Sequence, residues 1–510
     1  MDGQLRILMA ASEVVGFAKT GGLADVVGTL PLALARRGHD CAVVMPLYHA
    51  VRHGKNPIEP TDHTFAVPLG ERTVPGRLWT AKLPGSDVPV YLVEQADFFE
   101  RDDPAVGGGL YQYSEWHGGK RDYEDNAARF IFLSRAILEV VRLAGFPANV
   151  LHLNDWQTGL AAVYLREVYQ HLPQPDLADV YRRMRTLFTI HNIAFKGEFW
   201  HWDMRRTGLD WRLFNPDQLE FHGNVSFLKA GLVFSDYLNT VSPTYAREIQ
   251  TPYYGHGLQG LLQARSDRLF GIVNGVDYAA WDPATDRHLA ANYTPAAIHP
   301  GKAACKAALQ KRMGLPVEPR TPLLGVVARL AEQKGIDLIA EGLPSFLGEH
   351  HCQLVVLGDG DPHLRWRLEQ LKHAYPHRVG LYVGFDEVLA HQVEAGADLF
   401  LMPSLYEPSG LNQLYSLKYG TPPVVRATGG LADTVTDTTP ATLVAGTATG
   451  FSFGPYTVDA FREALWRACS LYWNHPEDWL QVQRNGMAQD WSWDRSAAEY
   501  ERLYHLMLET

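Results

Sequence analysis

Two doubly wound α/β domains are what this sequence predicts, and three observations carry the expectation. Its 510 residues are too many for one ordinary core, at roughly 100–200 residues per domain. Short apolar runs alternate with longer amphipathic stretches along the first half, as buried parallel strands alternate with crossover helices. After a turn-rich interval, the same alternation starts again.

In the first half the runs at 6–10, 42–45, 90–93, 150–153, 186–190 and 237–241 are the expected parallel strands. Apolar residues spaced three and four apart over 125–143 predict a helix between two of them. The second series comprises 323–328, 353–357, 380–383, 399–402 and 423–426, each followed by Gly, Pro or polar residues. Several Pro and turn residues fill 274–322, so a boundary is expected near residue 275. This gives domains over 1–275 and 276–490, with a terminal helix in 491–510. Ligands of open α/β sheets bind beyond the carboxyl ends of the strands, so two such sheets with opposed edges predict an active site in an interdomain cleft.

Composition removes several classes of function. With 46% hydrophobic and 20% charged residues the chain is globular, and its formal charge of −11 gives no general attraction to nucleic acid or anionic lipid. Cys41, Cys305, Cys352 and Cys469 are scattered without C-x-x-C spacing, which favours neither a disulfide framework nor a zinc site. No apolar stretch reaches the roughly 18 residues of a membrane span, and the run 5–10 is too short for a signal segment. Only residues 1–4 precede it, so a cytoplasmic location is expected, with no nucleic-acid or membrane partner.

Chemistry is expected where strands end. Thr20-Gly21-Gly22-Leu23-Ala24-Asp25 recurs as Thr428-Gly429-Gly430-Leu431-Ala432-Asp433, six identical residues in a row. A Gly-Gly pair opening an apolar helix brings backbone N–H groups to an anion, although both copies could be plain turn-plus-helix starts. Lys19 adds a cation to the first loop, which is no Walker loop. Arg329 and Lys334 follow the strand at 323–328 and suit a diphosphate, unless they are ordinary surface cations. Glu407 stands in the turn-rich loop after 399–402, where a carboxylate could meet sugar hydroxyls or a positive anomeric carbon. His152, Asp155, His191 and Asn192 follow two further strands in no metal-ligand spacing. Asp359-Gly360-Asp361 has the look of a metal-holding acidic pair, but its glycine-lined turn argues against that use.

In order, 19–26, Asp155-Trp156-Gln157, 189–192, 240–249, Asn274-Gly275-Val276-Asp277, 329–335, 407–419 and 428–433 resemble the motifs of bacterial glycogen synthases and plant starch synthases. The resemblance covers nearly the whole chain. It implies the GT-B fold of two facing Rossmann-like domains, with a last helix, here 493–508, crossing back to the first. It implies retaining transfer of glucose from ADP-glucose to the non-reducing end of an α-1,4-glucan, with neither metal nor other cofactor. Carried over by position, Lys19 binds the donor, Arg329 and Lys334 hold the diphosphate, Glu407 lies at the reacting glucose and His191 contacts its hydroxyls. Gly21, Gly22, Asp155 and Asn192 are expected to line the substrate from the first domain. Ser409, Gly410, Leu411, Thr428, Gly429 and Gly430 are expected to do so from the second.

Two positions depart from the family pattern: Asn154 stands where H-x-H-D has its second His, and Ser409 where many members have Cys. Tyr415, eight residues after Glu407, excludes ribose recognition by a Glu at that place. It also argues against a glucan phosphorylase, which needs a Lys there for pyridoxal phosphate. A catalytically silent glucan-binding scaffold is the rival of a different class, since fold alone does not establish activity. Because Lys19 and Glu407 come from opposite halves, the domains are expected to close on the donor.

Overall fold

The computed structural model describes residues 3–106, 108–115 and 119–509, and the chain divides into two compact units. The first comprises Met1–Val241, Ala246–Ile272 and Trp493–Thr510; the second comprises Ser242–Tyr245 and Val273–Ser492.

Among the described residues the first unit is built on a nine-stranded sheet. Its order is Leu269–Gly271, Tyr237–Thr240, Arg185–Ile190, Val150–Asn154, Arg6–Ala10, Asp40–Pro46, Pro89–Glu94, Arg72–Lys82 and Glu59–Leu69. Every pairing is parallel up to Pro89–Glu94, where an antiparallel hairpin closes the edge. The six parallel strands read from the sequence are all present, and the hairpin adds two strands that reading left out. Phe65, Val67 and Leu69 are buried in alternation with exposed neighbours, and Gly70, with φ of +62°, opens the turn before Arg72. That period of two with a turn glycine is an edge-hairpin signal, which a search for continuous apolar runs passes over.

Helices packed beside the central strands accompany their burial. Asn126–Leu143 is buried along most of its length, and the five residues of Val150–Asn154 are all buried. The terminal helix Trp493–Glu509 belongs to this unit and is tied in by polar contacts inside the core. Tyr500 Oη accepts from Asn239 Nδ2 at 2.9 Å, and Tyr504 Oη lies 2.8 Å from His152 Nδ1.

The second unit carries an all-parallel sheet ordered Val379–Val383, Gln353–Gly358, Leu323–Val327, Leu399–Met402, Pro423–Arg426 and Phe451–Phe453. Counted along the chain this is 3-2-1-4-5-6, the order of a dinucleotide-binding Rossmann sheet. The direction of progression reverses between Leu323–Val327 and Leu399–Met402, and at such a point the loops after the two strands diverge and leave a crevice. The first sheet has the corresponding reversal between Arg6–Ala10 and Val150–Asn154. No helix among the described residues is long and apolar enough to cross a membrane.

Candidate functional site

In the second unit the predicted residues gather at the reversal point. Lys334 Nζ donates to both oxygens of Glu407, at 2.9 and 2.7 Å, and Ser404 Oγ adds a third bond at 3.1 Å. The Glu407 side chain is 5% exposed and that of Lys334 26%, so the ammonium is the part of the pair that solvent meets. An ionised carboxylate this deep needs such a partner. Local backbone explains how residues so far apart in sequence meet. Gly335 has φ of +71°, and a Cβ there would lie 2.1 Å from the Pro403 carbonyl oxygen, so only glycine lets this turn press on the end of the strand. Leu405 N completes the clasp by donating to Gln333 O at 2.9 Å.

Arg329 does not join the pair: it is exposed, with Nη2 3.3 Å from Gln333 Oε1. Its loop is fixed by Leu330, whose N–H donates to Asp359 O at 2.9 Å and whose carbonyl accepts from Asp361 N at 2.7 Å. Asp361 then caps the helix Pro362–Ala374 by accepting from His363 N and Leu364 N. The acidic pair at Asp359 and Asp361 thus has a local structural use.

Glycines 429 and 430 also serve packing. Gly429 has φ of +45°, and a Cβ on it would lie 2.0 Å from Glu407 O; one on Gly430 would lie 1.9 Å from Ser409 O. Gly430 N donates to Glu407 O at 3.1 Å, and Thr428 is buried at the start of the helix Gly429–Thr434. This loop therefore holds the Glu407 backbone. Ser409 Oγ turns to Gly410 O at 3.4 Å, Gly410 takes φ of +71°, and Leu411 leads into the helix Asn412–Lys418. Tyr415 lies in a stack, 3.9 Å from the Trp281 ring with 2° between planes.

In the first unit the same glycine pair has a different setting. Gly21 and Gly22 are exposed, and a Cβ on either would meet nothing within 4 Å among the described residues. Gly22 opens the helix Gly22–Arg36, whose first-turn N–H groups have no acceptor within the helix. Lys19 Nζ is 2.7 Å from Asp25 Oδ1, both side chains partly exposed, a pair weak enough for a ligand anion to replace. The loop is organised by Glu13, which accepts from Thr20 N, from Thr20 Oγ1 at 2.6 Å, from Gly21 N at 3.2 Å and from Tyr111 Oη at 2.6 Å. Glu13 is 4% exposed and was not among the expected site residues. Three of these bonds are local, and the fourth comes from Tyr111, far along the chain, a contact no local motif announces.

His191 Nε2 lies 2.9 Å from Asn154 Oδ1, while Asn154 Nδ2 donates to Ala10 O at 3.1 Å. That amide orientation makes Nε2 the protonated nitrogen and leaves Nδ1 as an acceptor. The Asn154 oxygen thus fixes the orientation of the imidazole. Asp155, with φ of +55°, accepts from His191 N at 2.8 Å and from Asn192 N, so its carboxylate shapes the loop that carries both residues.

Burial drives the titration of this cluster. It lowers His152 and His191 to about 3, the neighbouring imidazole adding to the shift at His152, and it raises Asp155 to about 7 against the two amides that lower it. A histidine held below its unfolded value contributes stability above pH 6.5 that is lost as pH falls towards 3. Asp155 acts oppositely: its contribution is complete below 3.8 and is lost as pH rises through about 7. Urea unfolding at stepped pH is expected to show a shallower acid loss in His152→Gln than in the parent, with a difference approaching about 5 kcal/mol at the acid end. Parallel pH profiles would refute the neutral assignment.

Known proteins resemble the whole of this arrangement. Residues 6–264 match the starch synthase catalytic domain, and 310–484 match glycosyl transferases group 1. A glycogen synthase of Rhodopirellula baltica is 44% identical over 510 residues, covering 98% of this chain and 97% of the relative. One of Anaeromyxobacter dehalogenans is 47% identical over 505 residues, covering 99% and 100%. The solved catalytic domain of starch synthase IV from Arabidopsis thaliana, bound to ADP and acarbose, is 32% identical with a TM-score of 0.87, and 100% of each chain is covered.

Proposed function

We propose that this chain, which belongs to the glycogen synthase and starch synthase family of glycosyltransferases, transfers glucose from ADP-glucose to the non-reducing end of an α-1,4-glucan with retention and release of ADP. One observation carries the reading above the others: likeness to glycogen synthases runs over 98–99% of the chain, through both units and every strand-end loop that holds a candidate residue. The ADP in the Arabidopsis structure supports the choice of nucleotide.

The geometry gives each group a task. An ammonium has three N–H donors, and Lys334 spends two on Glu407, so the third can reach a phosphate oxygen. As the glycosidic bond breaks, negative charge grows on the diphosphate and positive charge on the anomeric carbon; Lys334 stabilises the first and Glu407 the second. Arg329, exposed and with no carboxylate partner among the described residues, adds a fork of donors to the diphosphate. Lys19 and the first-turn amides at Gly22 bind the donor, and the His191 Nδ1 acceptor takes a glucose hydroxyl. Asn192, Ser409, Gly410 and Leu411 line the substrate, whereas Asp155 and the buried Thr428, Gly429 and Gly430 act by shaping the loops that do so.

The deciding assay is ADP release from ADP-glucose with glycogen as acceptor, repeated with UDP-glucose. Turnover with the adenine donor well above that with UDP-glucose is expected; a chain silent with both is a glucan-binding scaffold and the proposal fails. Because protein cations stabilise the leaving group, EDTA is expected to leave turnover unchanged. Loss on chelation with recovery on adding Mg²⁺ would refute that division of labour.

A further inference from the structure

A second cluster stands on the first unit, built from residues given no task above. His49 opens the short helix His49–Arg52, His53 follows its end, and their ring centroids are 4.3 Å apart. A pair at i and i+4 lies on one helical face, the spacing that lets two imidazoles share one ion. Two carboxylates face them. His53 Nε2 is 3.4 Å from Glu100 Oε1, and His49 Nε2 is 3.9 Å from Asp102 Oδ2.

One ligand atom from each of His49, His53 and Glu100 lies within 4.8 Å of the others. Bonds of about 2.0–2.2 Å in a tetrahedral zinc site set ligand atoms roughly 3.3 Å apart, so closure needs movements of about 1 Å. The His49 and His53 side chains are 35% and 58% exposed and free to make them. Glu100 is aimed in advance: Arg52 Nε holds its Oε2 at 2.7 Å while Glu94 anchors the same guanidinium, and Oε1 is left towards the imidazoles. Such second contacts orient ligands in metal sites.

We propose that His49, His53 and Glu100 form a three-residue transition-metal site. Two imidazoles and carboxylate oxygen suit Zn²⁺, and Cu²⁺ as its spectroscopic stand-in, better than Mg²⁺ or Ca²⁺, which take all-oxygen shells. An ion here joins the turn after the strand Asp40–Pro46 to the segment after Ala96–Phe99. Its role is structural, so it is compatible with metal-independent transfer.

Zn²⁺ titration calorimetry on the chelator-stripped full chain tests the site, with His49→Ala, His53→Ala and His63→Ala compared; His63 is an exposed histidine elsewhere on the unit. Loss of an outer-sphere partner alone typically weakens metal binding about 10–100-fold, so removing a ligand should weaken it at least tenfold. The expected result is that loss in both site variants and parent affinity in His63→Ala, with Cu²⁺ resonance spectra showing fewer nitrogen couplings. His53→Gln, changed at the more exposed position, gives the same readout should an alanine variant fold poorly. No Zn²⁺ binding by the parent, or equal affinity in parent and site variants, overturns the proposal.

Discussion

Lys334→Gln is expected to lower turnover by about 10²–10³ and to change the apparent donor KM much less. The argument starts from which part of the pair reaches the ligand. Glu407 is the buried member and Lys334 the partly exposed one, so under the proposed function the ammonium is the member placed to meet a diphosphate while still bound to the carboxylate. A donor of this kind does little for the ground state, where the diphosphate is already solvated or otherwise paired, and much more as the leaving charge grows. Glutamine keeps a hydrogen-bond donor but loses the charge, so the difference reads the electrostatic part. Arg329→Ala should act in the same direction, with turnover again falling more than KM rises. Steady-state kinetics with ADP-glucose and glycogen check both variants, and thermal unfolding separates a lost interaction from a lost fold. Parent turnover in both would remove these residues from the leaving-group step.

The central strands were legible because they are buried and rich in apolar residues; the run at 399–402 matches the strand Leu399–Met402 residue for residue. The edge hairpin Glu59–Leu69 with Arg72–Lys82 was passed over because one face of it is wet and its apolar residues alternate. Candidate residues at strand ends were legible from chemistry and from family motifs, but their partners were not. Nothing local to Lys334 tells that a glycine beside it fits against Pro403, and Glu13 reads as any turn acid until Tyr111 is placed over it. His191 shows the same limit: the sequence marks a departure at Asn154, and only the fold reveals that the amide oxygen meets the imidazole.

The recurring hexapeptide separates sequence identity from physical role most sharply, and it gives the last prediction. In the second copy, Asp433 accepts from Ser242 Oγ, from Thr244 N at 3.0 Å and from Thr244 Oγ1 at 2.6 Å, whereas Asp25 in the first copy pairs with Lys19. The glycines differ as deeply. A methyl group on Gly429 or Gly430 runs into a carbonyl oxygen at 2.0 or 1.9 Å, and backbone cannot rotate aside as a side chain does. Gly429 also holds φ of +45°, which an L side chain rarely adopts. Gly429→Ala is therefore expected to destabilise the fold by about 3 kcal/mol or more, with activity falling through loss of the Glu407 loop. Gly22→Ala meets open space at the first position of a helix, where alanine is the better helix former by up to about 1 kcal/mol, so its stability should equal or exceed the parent's. If the donor approaches that backbone, the same methyl group stands in its way, and activity falls with no fall in melting temperature. Urea unfolding alongside ADP release distinguishes the two copies. Equal destabilisation by both substitutions would contradict the packing argument, and a fully active Gly22→Ala enzyme would remove the first loop from donor binding.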